Sequence, residues 1–140
     1  MKYIIDIVDA CNIHCMSCLR GRQAMRNTNE RMEFSLFEKI LLKAKQNGAT
    51  SVELYNWTEP FLHPDIKKFV NEVKKYELPL FLSSNLSLRS IPQLIDTLHA
   101  GVDILYVSVS GFTNKVHQIN HVGSDINVVK KPSDYRKRKI

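Results

Sequence analysis

The stretch FSLFEKILLKAKQNGATSVELYN, residues 34–56, contains the unit from which we predict the fold, a helix followed by a strand. Four apolar residues recur at the spacing of one helical face, namely Phe37, Ile40, Leu41 and Ala44. Ser35 and Glu38 have the S-x-x-E spacing of a capping box, and Asn47-Gly48 is a typical helix end. SVELYN, residues 51–56, then predicts a β-strand.

The same unit recurs on both sides of this stretch. Apolar, β-branched runs predict three further strands, at residues 2–8, 78–85 and 103–111. Further helices are predicted to begin at Pro64, at a second capping box over residues 90–93, and at Thr113. The order is therefore βαβαβαβα, which is typical of an α/β fold with a parallel sheet. A doubly wound sheet and part of a β/α barrel both fit this order, and four strands are too few to close a barrel.

The composition is that of one globular domain. Of the 140 residues, 44% are hydrophobic and 24% are charged. No apolar run approaches the roughly 20 residues that span a bilayer. The first ten residues, MKYIIDIVDA, are too short an apolar run for a signal peptide and are interrupted by Asp6 and Asp9. We therefore expect a cytoplasmic protein without a membrane partner, in which thiols stay reduced.

The positive charge is concentrated at the end of the chain. The formal charge is +6, and residues 130–140 alone contain six Lys or Arg residues and one acid. The rest of the chain is nearly neutral. We predict a core domain over residues 1–129 and a basic, disordered tail over residues 130–140. A short basic tail is usually a solvated terminus, so nucleic-acid binding is not expected.

All three cysteines lie in the segment CNIHCMSC, residues 11–18, directly after the first predicted strand. Their C-x3-C-x2-C spacing can bring three thiolates around one metal group. One alternative is a zinc ion completed by a histidine, with His14 or His63 as the candidates. The other is an iron–sulfur cluster in which one iron has no protein ligand. The spacing alone leaves both possibilities open.

Polar residues follow each predicted strand. They are the cysteine segment itself, then residues 57–60, 83–85 and 108–111. The carboxyl ends of parallel strands in β/α folds meet at one edge, where ligands bind. We therefore expect these four segments to form one site.

The cysteine motif and the segments after the other strands resemble the radical S-adenosylmethionine (SAM) enzyme superfamily. C-x3-C-x2-C after the first strand is the signature of that family, and residues 32–66 resemble its first helix, second strand and the following segment. WTEP, residues 57–60, matches the family's Glu-Pro, with Trp57 and Thr58 in place of two glycines. SSN at residues 83–85 and VSVSG at residues 107–111 occupy the places of its SAM-contacting strand ends.

This resemblance implies the fold, the cofactors and the role of each site residue. The fold would be a parallel (βα)4 portion of a TIM-like barrel, since the family core has six βα units and this chain supplies about four. Cys11, Cys15 and Cys18 would hold a [4Fe-4S] cluster, and the Thr58–Glu59 edge would bind the SAM ammonium. The methionyl carboxylate, ribose and adenine would be contacted by the remaining candidates, Ser83, Asn85, Ser108 and Ser17.

The resemblance also implies a reaction. An electron donor such as flavodoxin or ferredoxin would reduce the cluster, and SAM would be cleaved to a 5′-deoxyadenosyl radical that abstracts hydrogen from an unknown substrate. Two alternatives stand beside this enzyme. One is a non-catalytic module held together by zinc on three cysteines and one histidine, and the other is a truncated fragment that binds a cluster without turnover.

Three groups of basic residues have simpler interpretations. His117 and His121 are four residues apart and are expected to be solvent-exposed rather than a metal pair. His63 precedes a proline and is expected to have a turn role. The loop arginines are expected to form a solvated surface: Arg20, Arg22 and Arg26.

Overall fold

The structure, a computed structural model, describes residues 1–22 and 27–131. The strands are β1 (Lys2–Ile4), β2 (His14–Cys15), β3 (Ser51–Glu53), β4 (Leu80–Ser84), β5 (Ile104–Val107) and β6 (His121–Val122). The helices are α1 (Leu19–Arg22), α2 (Phe34–Gln46), α3 (Ile66–Lys75), α4 (Leu94–His99), α5 (Asn114–Asn120) and α6 (Ile126–Lys130). A 3-10 turn, Pro60–Leu62, precedes α3. Within these described ranges, no helix has the length and apolar character to cross a bilayer.

The main sheet has four parallel strands in the order β1-β3-β4-β5. One helix connects each neighbouring pair: α2, α3 and α4 in turn. Such crossovers are right-handed, and an order without reversal places all three helices on the same side of the sheet. A doubly wound sheet reverses its strand order instead. The fold is therefore a portion of a β/α barrel, which confirms the predicted fold class and decides between its two forms.

The hydrophobic core lies between the sheet and helices α2 and α3. Phe69 of α3 is its centre, with ring centroids 4.8 Å from Phe37 and 5.4 Å from Phe34. Leu80 and Leu82 of β4 are completely buried on the other side of this core. At the far edge of the sheet, β5 leaves Ile104, Tyr106 and Val107 partly exposed. The centre of the sheet is thus rigidly packed, while β5 is its open edge.

The two predicted capping boxes are wrong, because neither helix begins at the predicted residue. Helix α2 begins at Phe34, whose ring contacts Phe69, so Ser35 lies inside the helix, and Glu33 at the N-cap makes no side-chain cap bond. Helix α4 begins only at Leu94, after Gln93, whose side chain donates to the Phe61 carbonyl instead.

Other predicted boundaries are confirmed. Thr113 caps α5 by accepting a hydrogen bond from the Val116 amide, at 3.4 Å. Helix α2 ends at Gln46, and Gly48 follows with a φ of +73°, a conformation that favours glycine. Helix α6, which ends at Lys130, was not predicted from the sequence. Residues 132–140, most of the predicted tail, lie outside the described residues, so the division into core and tail stays a prediction.

A second, two-stranded sheet was not expected from the sequence. Strands β2 and β6 pair antiparallel, with Cys15 opposite His121 and His14 opposite Val122. This ribbon fastens the cysteine segment to the end of α5. It therefore connects the first and fourth βα units directly across the carboxyl end of the sheet.

Candidate active site

A cavity of about 210 Å³ lies at the carboxyl ends of the four parallel strands. Its wall contains all nine residues that we predict for the site: Cys11, Cys15, Ser17, Cys18, Thr58, Glu59, Ser83, Asn85 and Ser108. Six further residues complete it: Ile13, Tyr55, Asn56, Trp57, Ser84 and His121. The structure thus brings every predicted site residue to one place, and their individual roles stay predictions.

The cysteine segment is fastened at its start to two other parts of the chain. Asn27 forms a pair of hydrogen bonds with Cys11, accepting from its amide at 3.1 Å and donating to its carbonyl at 2.9 Å. The Glu59 amide donates to the Ala10 carbonyl at 2.9 Å. These bonds hold the segment in shape by protein contacts alone.

Gly21 allows α1 to pack tightly against the cysteine segment. A Cβ at this position would lie 2.3 Å from the Cys15 carbonyl oxygen and 2.6 Å from the Cys15 nitrogen. Both atoms belong to the main chain and cannot move aside easily. Glycine is therefore required at position 21, a requirement that the spacing of the cysteines does not reveal.

Arg20 has a structural role that the sequence did not predict. It is 7% exposed, and its guanidinium donates to the carboxylate of Asp9 and to the Asn27 side chain. Thr28 also donates to Asp9, and the hydrogen bonds from Thr28 and Arg20 lower the Asp9 pKa. The expected solvated surface is therefore wrong for Arg20. It is right for Arg22, which is exposed, and Arg26 lies outside the described residues.

The other side of the cysteine segment is held by Asn120, the last residue of α5. Its main-chain carbonyl accepts from the Met16 amide at 2.8 Å, and its side-chain oxygen accepts from the Ser17 amide at 2.9 Å. Together with the pairing of β2 and β6, these bonds position Cys15 and Cys18 around the cavity.

His117 and His121 are buried, so the prediction that they are solvent-exposed is wrong. Their rings stack with centroids 4.6 Å apart and an angle of 8° between the planes. The Ser110 amide donates to Nδ1 of His117, so the proton of that ring lies on Nε2, which donates to Ser124 Oγ at 2.8 Å. Burial lowers the pKa of both histidines, and His121 reaches the cavity wall.

The three thiols lie close enough to influence one another. Burial raises the pKa of Cys15 to about 11, and the neighbouring Cys11 and Cys18 raise it further by repulsion between thiolates. Burial likewise raises the pKa of Cys11. A metal group supplies the positive charge that turns such thiols into thiolates. The donor set therefore fits a metal group bound in the cavity.

The two candidate metal groups make different demands on the cysteines. The described residues contain no group of three or more His, Cys, Asp or Glu side chains placed to hold one metal ion. Zn–S bonds are about 2.3 Å long, so thiolates around zinc crowd together, whereas each thiolate of a cluster binds a different iron. His63, a candidate zinc ligand, packs against Phe69 at 4.7 Å and accepts from the Asp65 amide, which confirms its predicted turn role.

Asp6 shapes the segment that follows β3. Its carboxylate accepts from the amides of Asn56 and Trp57 at 3.0 and 3.2 Å, and from the Thr58 hydroxyl at 2.5 Å. The Trp57 ring is 43% exposed beside the cavity. In the sequence, Asp6 was noted only as an acid that interrupts the first apolar run. It organises the segment in which the family's two glycines are replaced.

Glu59 joins two strand ends through its buried carboxylate. It accepts from the Phe61 amide at 3.1 Å, the Ser84 hydroxyl at 2.7 Å and the Asn85 amide at 2.9 Å. Burial raises its pKa to about 7, and these hydrogen bonds oppose the rise. The carboxylate is thus occupied by protein donors. Ser84, which lies in the predicted segment 83–85 but was not among the predicted site residues, is one of them.

The remaining predicted residues lie on the ends of β4 and β5 and in the cysteine segment. The Ser108 amide donates to the Ser84 carbonyl at 3.0 Å, which keeps the end of β5 beside that of β4. Ser83 and Ser108 are half-buried on the cavity wall, and Ser17 is exposed there. Their hydroxyl groups can donate to or accept from a polar ligand.

Residues 5–137 match the family model described as the Radical SAM superfamily. The chain belongs to the radical SAM superfamily. The family predicted from the sequence is therefore confirmed. Radical SAM proteins use a [4Fe-4S] cluster and SAM, which confirms the predicted cofactors at the level of the family.

One curated relative resembles this chain in sequence, and two solved structures resemble it in fold. The chain is 30% identical over 142 residues to the tungsten-containing aldehyde ferredoxin oxidoreductase cofactor-modifying protein of Pyrococcus furiosus, covering 97% of this chain and 39% of the relative. Streptococcus suis SuiB bound to S-adenosylmethionine has a TM-score of 0.79 at 20% identity, covering 96% of this chain and 30% of SuiB. Methylornithine synthase (PylB) has a TM-score of 0.72 at 17% identity, covering 98% and 41%.

Proposed function

We propose that this radical SAM chain binds a [4Fe-4S] cluster through Cys11, Cys15 and Cys18 and binds SAM in the adjoining cavity. The observation that carries the proposal is the presence of all three thiols and the six predicted SAM-side residues on one cavity wall. When bound and reduced, the cluster would supply the electron that cleaves SAM to methionine and a 5′-deoxyadenosyl radical for hydrogen abstraction. A small redox protein such as flavodoxin or ferredoxin would deliver that electron.

The role of the protein itself would be to bind, orient and enclose SAM. The Thr58–Glu59 edge would receive the SAM ammonium, and its shape is held by Asp6 and by the bonds to the Glu59 carboxylate. Hydroxyl groups would bind the polar parts of SAM: Ser83 and Ser108 the carboxylate and ribose, and Ser17 the region beside the adenine. Trp57 and Ile13 supply apolar wall that limits the entry of water.

The chain spans 39% of the length of its curated relative, so the activity and substrate of a whole protein are proposals here. That relative is named a cofactor-modifying protein, and modification of another protein's cofactor is the reaction class to test first. The division into a core over residues 1–129 and a basic tail over residues 130–140 also stays a prediction.

Anaerobic reconstitution with iron and sulfide tests the proposal. We expect brown protein with cluster absorbance, and release of 5′-deoxyadenosine when SAM and a strong reductant are added. Cys15→Ser should lose the cluster, because an open-site cluster held by three thiolates cannot spare one. Met16→Ser, at an exposed neighbour in the same segment, is the matched control and should keep it.

Two results would contradict the proposal in different ways. A colourless protein that binds one equivalent of zinc, with the metal lost in Cys15→Ser, would establish the zinc-stabilised module instead. A protein that holds the cluster and SAM but releases no 5′-deoxyadenosine would establish a cluster-binding fragment without turnover.

A further inference from the structure

We propose that Asn85 is a positioning residue for the cluster: its side-chain amide donates an N–H···S hydrogen bond to Cys11 and thereby raises the reduction potential of the cluster. This inference rests on the proposed function above, because it requires Cys11 to be a cluster ligand. It gives Asn85 a role that differs from the SAM contact predicted from the sequence.

The Asn85 amide group is buried, and its orientation is determined by its partners. The residue is 6% exposed, and its Oδ1 accepts from the Ser87 amide at 2.7 Å. The Nδ2 group is therefore turned the other way, where it lies 3.0 Å from Asn12 Oδ1 and 3.9 Å from Cys11 Sγ. An amide flip would place Nδ2 against the Ser87 N–H, so the assignment of the two ends is secure. One N–H remains for the sulfur after Asn12 takes the other.

The surrounding contacts hold this donor in place. Asn12 Nδ2 donates to the Ser87 carbonyl at 2.9 Å, which closes a ring of hydrogen bonds through Asn85, Asn12 and Ser87. The Ser87 hydroxyl accepts from the Asp125 amide at the start of α6. The Asn85 amide nitrogen of the main chain is held by the Glu59 carboxylate at 2.9 Å. The donor is thus preorganised by protein contacts alone.

A donor directed at a cluster sulfur changes the balance between two oxidation states. Reduction adds negative charge to the cluster and its thiolates, and an N–H group close to one of these sulfurs stabilises that charge. The hydrogen bond stabilises the reduced cluster more than the oxidised cluster, so the reduction potential of the cluster rises. Loss of the donor should therefore make the cluster harder to reduce.

The test uses the full 140-residue chain carrying a reconstituted cluster, titrated with reductant in the absence of SAM and followed by electron paramagnetic resonance. Asn85→Leu removes the donor without adding charge, and Asn85→Asp removes it but keeps an acceptor for the Ser87 amide. Asn56→Asp is the matched control, because Asn56 lines the same cavity and the change adds the same charge. We expect a more negative midpoint potential in both Asn85 variants, with a larger shift in Asn85→Asp than in Asn56→Asp.

SAM affinity separates this role from a direct SAM contact. If Asn85 bound SAM, its loss would raise the SAM dissociation constant about tenfold or more. We expect the Asn85→Leu dissociation constant to stay within about threefold of that of the parent. A clear weakening of SAM binding without a change in potential would overturn the inference.

Three other outcomes also decide the matter. A parent chain that binds no cluster overturns the proposed function and this inference together. A parent with a cluster whose potential is unchanged by Asn85→Leu overturns this inference alone. Folded Asn85 variants that both fail to hold a cluster overturn it as well, since Asn85 would then be needed to form the site rather than to set its potential.

Discussion

Glu59 is 2% exposed at the junction of two strand ends, and the pKa of its carboxyl group is raised to about 7. A carboxyl group in this state ties proton binding to folding. In the folded protein it keeps its proton up to about neutral pH, whereas in the unfolded chain it titrates near its ordinary value of 4.5. The folded state therefore binds more protons than the unfolded state between these two values.

We expect the contribution of Glu59 to the free energy of unfolding to be fully present at acidic pH and to be lost as the pH rises through about 7. The full shift corresponds to about 3 kcal/mol. Urea unfolding of the metal-free chain between pH 4.5 and about 7 should show the parent losing stability relative to Glu59→Gln as the pH rises. Glu77→Gln, at an exposed position, is the control and should follow the parent. A constant difference between the parent and Glu59→Gln would refute this expectation.

Gly21 acts through the absence of a side chain. A Cβ there would lie 2.3 Å from a main-chain oxygen of Cys15, so Gly21→Ala should push α1 away from the cysteine segment. Overpacking of this kind costs about 2 kcal/mol, and we expect a lower free energy of unfolding together with a lower iron content after reconstitution. Iron and sulfide analysis measures the second effect.

Gly48→Ala is the matched control for this substitution. A Cβ at Gly48 has nothing within 4 Å, but its φ of +73° makes alanine strained. The control should lose about 1 kcal/mol of stability and keep its iron content. Equal iron content in Gly21→Ala and Gly48→Ala would show that the close approach at Cys15 has no part in cluster binding.

At the scale of elements, the sequence predicted the long, regular parts of the fold better than the short ones. The helical spacing of Phe37, Leu41 and Ala44 correctly placed α2, since its buried face depends only on local periodicity. Strands β2 and β6 escaped prediction because each has two residues, too few for any alternation to be recognised. Their pairing depends on contacts between segments that are distant in the sequence.

The β2–β6 ribbon leads to a prediction about Asn120. Its side-chain oxygen accepts from the Ser17 amide at 2.9 Å, so Asn120→Ala should loosen the segment that carries Cys15 and Cys18. The loss of one such bond costs about 1 kcal/mol, and we expect iron to be lost to a chelator about fivefold faster. Absorbance of the released iron complex measures the rate.

Lys115→Ala provides the comparison, because Lys115 is an exposed residue of the same helix. Its iron should be released at the rate of the parent. If Asn120→Ala and Lys115→Ala release iron equally slowly, the Asn120 side chain does not hold the cysteine segment in place.

At the scale of the whole molecule, the position of the site was predictable from the sequence, but the hydrogen-bond partners of its side chains were not. Parallel strands bring their carboxyl ends together whatever side chains follow them, so the meeting of Cys11, Ser83 and Ser108 follows from topology. Which partners each side chain chooses depends on packing. Glu59 and Asn85 both direct polar atoms at protein groups, and no pattern in the sequence distinguishes them from Ser83 and Ser108.

The ribbon also has a consequence for how the protein is made. The bond between the Ser17 amide and Asn120 joins residues 103 positions apart, so the cysteines leave the ribosome long before the strand that pairs with β2. Because synthesis proceeds at roughly 5–20 residues per second, the cysteine thiols are exposed for roughly 5–20 seconds before β6 is made. During this interval the thiols are open to oxidation. A metal group inserted only after β6 has paired with β2 would enter a preformed binding site. Synthesis under low oxygen should therefore improve the yield of protein that can still accept its iron.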